Sequence, residues 1–387
     1  MNTFFVNVKK FISAAKKQLI WLCALAVILI ALSLLKQDSY ISEYIFARGI
    51  SRYYIKGAGA ITSLFSFSLF ELIAAALIFY LIYFIVRTII LLVKKSFLRA
   101  VKRVLTVISV ILCVVILYNI TASFSYNRYN LNLNLYEDKP EKEQVYATAE
   151  YFLNDYNAIA ERLQRDDKGN IIPPYSFDEL SDKLREEFSK LGGGYFGDVP
   201  RAKPMLFSEI MSYMQFSGVF MSITAEPNIN TNIPPKDLPA VMAHEMAHAA
   251  GVMRENEANL LSYYILLNSD DEYLRYSGYN ATFDQMLGAV YFTNGQEQYE
   301  SLELSPLIIK ENHNAYLHWK KYESFFGGIT EFFNDLYLKL SGVKEGTISY
   351  DNPYEVVDSG ETDEQGEIIY EIEYSAVQKI YFTIFGM

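Results

Sequence analysis

The sequence predicts a membrane-anchored, mainly α-helical protein of the α+β class: three transmembrane helices, then a larger domain with a small sheet. Two observations predict it. Three long apolar stretches with almost no charge fall in the first third of the 387 residues. The remainder breaks into segments with helical spacing and helix caps, and one short segment has the composition of a strand.

The first apolar stretch, about 19–35, lies between Lys16–Lys17 and Lys36. It is long enough to cross a hydrocarbon core of roughly 30 Å. It exceeds the apolar part of a cleavable signal and no small-x-small site follows before Lys36, so it reads as retained. The second, about 67–86, holds one acid, Glu71, near its outer end, where lipid headgroups would solvate it. The third, about 104–122, follows Lys102 and Arg103. Residues 1–122 are therefore the expected anchor and 123–387 a separate domain.

Lysine and arginine favour short cytoplasmic loops. Lys9, Lys10, Lys16 and Lys17 precede the first span, and Arg87, Lys94, Lys95, Arg99, Lys102 and Arg103 separate the second from the third. Both segments fall on one side, which predicts a multi-pass cell-membrane protein with a cytoplasmic N-terminus and an extracytoplasmic C-terminal domain. Residues 1–122 hold 14 Lys/Arg against 3 Asp/Glu, leaving 20 against 42 in 123–387. So acidic a domain argues against nucleic acid as a partner, since phosphate binding needs a basic face. Both cysteines, Cys23 and Cys113, lie in predicted spans, so the outer domain is expected to be stabilised by packing or metal rather than disulfides.

Within that domain, residues 123–145 read as a solvated connector and Gln144–Arg165 as a helix, followed by a turn at Asp166–Asn170. Ser176-Phe-Asp-Glu179 has capping-box spacing and opens a helix that ends near Gly192–Gly194. A helical run, Phe207–Tyr213, precedes the β-branched and aromatic segment Gly218–Thr224. A proline-rich turn then gives Asp237 as N-cap and Pro239 in a first helical turn.

That helix carries His244-Glu245-Met-Ala-His248. Residues four apart share a helix face, so two imidazoles can address one ion. Neutral imidazole is a preferred zinc ligand and two leave the shell incomplete. Glu245 is placed to act as general base on a water and then as general acid on a leaving amine. The chain has four histidines and two form this motif, among Ala243, Met246, Ala247, Ala249 and Ala250. Burying such a trio without a metal would be costly. Gly251 can end the helix in a left-handed turn, and the next helix begins near Arg254 with Glu255 and Glu257 on roughly opposite faces. One of the two is available as third ligand. Acids in a first turn are also favoured by the helix dipole alone.

The arrangement resembles the gluzincins, zinc peptidases in which H-E-x-x-H is followed by E-x-x-A-D or E-x-x-A-N. That resemblance implies Glu255 as the third zinc ligand and Asn259 as a partner for a histidine. It also implies a zincin-like fold, a peptide or protein substrate, and substrate pairing along an edge strand, for which Gly218–Thr224 is the candidate. Metzincins are excluded, because their third ligand would fall on Arg254.

Across the chain the organisation resembles a bacterial family of unknown function with three N-terminal spans and an extracytoplasmic H-E-x-x-H domain. Glu226-Pro-Asn-Ile-Asn230, Leu238–Gly251, Glu255–Asn259, Leu336–Lys339 and Lys344–Thr347 carry that likeness, and the acidic segment Asp358–Glu367 departs from it. The expected function is a zinc metallopeptidase. Its rivals are a non-catalytic, zinc-stabilised scaffold or sensor, and a transport component built on the spans. His313, His318, Tyr263 and Tyr264 are available to stabilise developing charge, and none is assigned.

Overall fold

The structure, a computed structural model, describes residues 2–191, 196–324, 327, 328, 330, 339, 354–362 and 368–386. Gly192–Gly194, Lys344–Thr347 and all but Lys339 of Leu336–Lys339 lie outside them. The chain forms two compact units, Met1–Tyr129 with Met221–Glu226, and Asn130–Phe220 with Pro227–Met387.

The first unit is built on α1 (Asn2–Leu35), α2 (Arg52–Thr62), α3 (Leu69–Val93) and α4 (Phe97–Thr121), with a π-helical stretch at Ile41–Ser51. Three of its segments are long and apolar enough to cross a membrane, Ile12–Leu35, Leu69–Val93 and Phe97–Thr121, which suggests membrane anchoring. Their apolar side chains point outward, as expected where lipid replaces water. The first begins earlier than the apolar run alone indicates. Long lysine side chains such as Lys16 and Lys17 reach past a span's end and need not break the helix.

Polar contacts tie the ends of the spans together. Lys36 Nζ donates to Ser123 Oγ (3.0 Å) and Ser51 Oγ to the Ile120 carbonyl (2.6 Å). Thr121 Oγ1 meets Ser222 Oγ (3.0 Å), and Tyr54 donates to the Ile223 carbonyl (2.6 Å). Both oxygens of Glu226 accept from the first turn of α3, at Leu69 N–H (3.1 Å) and Phe70 N–H (2.9 Å), groups that otherwise lack helical partners. Glu71 departs from expectation. It is 3% exposed rather than bathed by headgroups, and its N–H bonds the Ser68 hydroxyl that caps α3.

The second unit is mostly helical. Among the described residues its helices include α5 (Lys142–Arg162), α6 (Phe177–Lys190), α7 (Ser208–Tyr213), α8 (Leu238–Ala249), α9 (Glu255–Leu267), α10 (Glu272–Asn294), α11 (Gln296–Glu300), α12 (Pro306–Lys321) and α13 (Ala376–Phe385). Capping boxes start α5 at Glu141/Gln144, α6 at Ser176/Glu179 and α13 at Ser375/Gln378. Short strands β1 (Lys203–Pro204), β2 (Gly218–Met221) and β3 (Glu226–Ile229) make a small sheet in the order β1-β3-β2, with β1 parallel to β3. Strand β2 is shorter than predicted, because residues 222–225 turn and Ala225 takes φ +55°. Strands β4 (Tyr354–Thr362) and β5 (Ile368–Tyr374) form an antiparallel pair, so Asp358–Thr362 of the acidic segment are strand.

Helices α5, α8, α9, α10 and α13 close on one core. Tyrosines supply its largest fully buried side chains, and the hydroxyls of Tyr273, Tyr276, Tyr279 and Tyr381 have hydrogen-bond partners, as burial demands. Tyr273 donates to the Pro235 carbonyl (2.6 Å), Tyr279 to Asp155 (2.9 Å) and Tyr276 to Glu311 (2.7 Å), while Tyr381 pairs with Thr282 (2.7 Å). This core is the platform for α8 and α9.

Candidate metal centre

Helix α8 starts at the proline turn, with Pro239 in its first turn as expected. Asp237 occupies the N-cap position without capping the helix, and accepts instead from Asn280 Nδ2 (2.9 Å). The apolar residues of α8 bury it on three sides: Met242, Ala243, Met246, Ala247, Ala249 and Ala250 are fully enclosed. His244 and His248 point from the remaining face, with His248 buried and His244 partly open.

The end of α8 sets the orientation of one imidazole. Gly251 adopts φ +92°, so the chain reverses after Ala250 and Val252 N–H returns to the Ala247 carbonyl (3.1 Å). The Val252 carbonyl then lies 2.8 Å from His248 Nδ1. A carbonyl can only accept, so Nδ1 is the donor, and a neutral His248 would carry its lone pair on Nε2, the nitrogen that faces Glu255. The partner expected from the resemblance was Asn259; for His248 it is this main-chain carbonyl. His244 Nδ1 is buried without a hydrogen-bond partner among the described residues.

The turn also launches α9 against α8 and brings Glu255 to the histidines. Its Oε2 lies 3.1 Å from His244 Nε2 and 3.3 Å from His248 Nε2. Three potential ligand atoms thus converge within 4.8 Å of one another. Glu257 goes elsewhere: its carboxylate accepts from Leu131 N–H (2.8 Å) and Arg254 (3.0 Å), anchoring the connector of the second unit.

Electrostatics follow from this crowding. Burial alone would lower the basicity of His248, but the Glu255 carboxylate outweighs it and the imidazole is pushed up to about 9. Burial would raise Glu255, and the two histidines instead hold it well below the usual carboxylate range. For Glu245 burial wins, and its pKa is raised against the opposing pull of His244, His248 and the Phe220 main chain.

Glu245, 6% exposed, packs on β2. A Cβ on Gly218 would sit 2.7 Å from its Cγ and Oε1, so the strand passes here only because position 218 has no side chain. Among the described residues, strand β2 is an edge of the three-stranded sheet.

Sequence reasoning missed Gly218, the Val252 carbonyl and the use made of Glu226-Pro-Asn-Ile-Asn230. Asn228 Nδ2 donates to the Val219 carbonyl (3.3 Å), and Asn230 Nδ2 to the Phe216 carbonyl (2.8 Å) and Ser212 Oγ (2.9 Å). These polar residues are all fully buried, and their density in one short segment was the available signal. His318 meets the Asn232 carbonyl (3.0 Å) and is a structural residue.

The donor set fits zinc. At zinc–ligand distances of about 2.0–2.1 Å, tetrahedral ligand atoms are roughly 3.3 Å apart, close to the two separations that involve Glu255, and the two histidine nitrogens lie within 4.8 Å of each other. The molecule is thus a mostly helical protein with three potential spans and a His-His-Glu cluster, buried at His248 and Glu255 and partly open at His244. It belongs to the family described as Protein of unknown function (DUF3810), whose family model matches residues 46–357. No curated protein and no solved structure matches it.

Proposed function

We propose that the chain is a zinc-dependent metallopeptidase with a gluzincin-like, zincin-type domain, hydrolysing peptide bonds at the outer face of the membrane. The convergence of His244 Nε2, His248 Nε2 and one oxygen of Glu255 carries this reading. These three would hold Zn2+, which when bound supplies a Lewis acid able to activate water and polarise a carbonyl. Glu245 is the acid/base: it takes the proton from the attacking water and gives it to the departing amine as the C–N bond breaks. Its raised pKa suits a group that must both accept and release a proton near neutrality. Strand β2, an edge of the sheet among the described residues and beside Glu245, suits an extended peptide that pairs with its main chain. The basic segments before the first span and between the second and third support a cytoplasmic N-terminus and an extracytoplasmic second unit.

The test is metal content together with peptide-library cleavage by the purified full-length protein, beside Glu245→Gln and Glu255→Ala. One zinc in wild type and Glu245→Gln, loss of it in Glu255→Ala, and cleavage by wild type alone are expected. Absence of zinc from wild type sinks the reading. Zinc without cleavage by any sample replaces it with a non-catalytic, zinc-stabilised scaffold.

A further inference from the structure

Helices α1 and α4 pack side by side, and the contact of Lys36 with Ser123 joins their C-terminal ends. The two therefore run parallel, with their N-terminal ends together. Between them opens a groove of about 450 Å³, walled by Trp21 and Leu25 of α1 and by Thr106, Val110, Cys113 and Leu117 of α4. The hydroxyls that border it are turned inward: Thr106 Oγ1 donates to the Lys102 carbonyl (2.9 Å) and Ser109 Oγ to the Leu105 carbonyl (2.9 Å). What remains facing the groove is hydrocarbon, methyl and sulfur, a lining suited to an acyl chain.

The basic end of this groove is not apolar. Lys17 lies four residues before Trp21, and Lys102 four before Thr106, so each shares a helix face with a groove residue one turn away. Side chains on a helix lean toward its N-terminus, and lysine extends its ammonium toward the headgroup layer. Two cations thus flank the mouth of an apolar slot between two spans. Basic pockets between spans recognise anionic headgroups.

We propose that this groove binds one anionic phospholipid, with an acyl chain between Trp21 and the Thr106–Leu117 face and the phosphate between Lys17 and Lys102. The site is independent of the metal centre and stands or falls without it. Charge complementarity singles out an anionic lipid from the zwitterionic bulk, which would fill the groove without preference.

Trp21 reports on it directly: it is one of two tryptophans and stands 65% exposed at the groove wall, so bromine on an acyl chain in the groove quenches it. The full-length protein is reconstituted into phosphatidylcholine vesicles containing increasing fractions of either brominated phosphatidylglycerol or brominated phosphatidylcholine. A Trp21→Phe sample supplies the Trp319 background. The anionic lipid should quench at the lower mole fraction, by roughly fivefold for each lysine engaged. Lys17→Gln with Lys102→Gln should abolish that preference, and Lys94→Gln with Lys95→Gln, at the same membrane face but off the groove, should leave it. Equal quenching by the two lipids, a preference that survives Lys17→Gln with Lys102→Gln, or no quenching because a second copy covers the groove, overturns the proposal.

Discussion

Gly218 and Glu245 touch so closely that a single added methyl group would lie 2.7 Å from the carboxylate. The strand and the Glu245 carboxylate are therefore fitted to one another across β2 and α8. In Gly218→Ala the carboxylate must shift, while His244, His248 and Glu255 stay in place. The variant should keep its zinc and lose about 1–3 kcal/mol of stability from overpacking, with kcat falling more than KM. Zinc content, urea unfolding and peptide kinetics on the same preparation check this, and unchanged kcat would refute it.

Gly251 sets the turn that delivers the Val252 carbonyl to His248. A side chain at φ +92° is strained, so Gly251→Ala should relax the turn and release Nδ1. Loss of such an orienting partner weakens metal binding about 10–100-fold. Competition with a chromophoric chelator measures it; an affinity equal to wild type would count against the role given to Val252.

Metal-free protein should show a distinctive pH profile. The Glu255–His248 pair raises the histidine to about 9 from an ordinary value of 6.5, so its stabilisation is complete below 6.5 and is lost as pH rises through 9. The same pair depresses Glu255 below its ordinary 4.5, so stability also falls when acid protonates it. After chelation, melting temperature should decline between pH 6.5 and 9. Bound zinc requires neutral imidazole and should flatten that slope. A chelated sample with a flat profile over this range would disprove the pairing.

Arg165 pairs at 2.9 Å with the buried carboxylate of Glu311, which also accepts from Ile171 N–H (2.9 Å) and Tyr276 (2.7 Å). Glu311→Ala leaves Ile171 N–H and the Tyr276 hydroxyl without their acceptor, while Arg165 keeps the Ala160 and Gly169 carbonyls, and it should cost about 1–3 kcal/mol for each group left unpaired. The pair lies outside the metal centre, so zinc stoichiometry of the folded fraction should not change. Chemical unfolding monitored by circular dichroism gives the loss directly, and one below 1 kcal/mol would contradict the assignment.

What the sequence revealed and what it hid divide along range of interaction. The spans were legible from runs of apolar residues, and His244 with Glu245 and His248 from spacing along one helix. Gly251 was legible because left-handed turns favour glycine, and the capping box at Ser176 and Glu179 because it closes over three residues. The full length of the first span was less so, since Lys16 and Lys17 sit within its helix. Glu71 was misplaced because burial depends on neighbours distant in the chain. Glu226 looked like part of a polar motif beside the strand, yet its carboxylate caps α3, more than 150 residues earlier in the chain. Gly218 gave no local sign at all, for its reason is a carboxylate on another element.

The hydrogen bond that orients His248 comes from main chain rather than from a side chain. No substitution can delete a carbonyl oxygen, so the histidine's tautomer is written in the length and shape of the turn. Point changes at position 252 are filtered by packing alone, whereas inserting or deleting one residue between His248 and Glu255 would remove the orienting group and the Glu255 carboxylate together. Across the family, that interval should tolerate exchange of residues and forbid a change in their number.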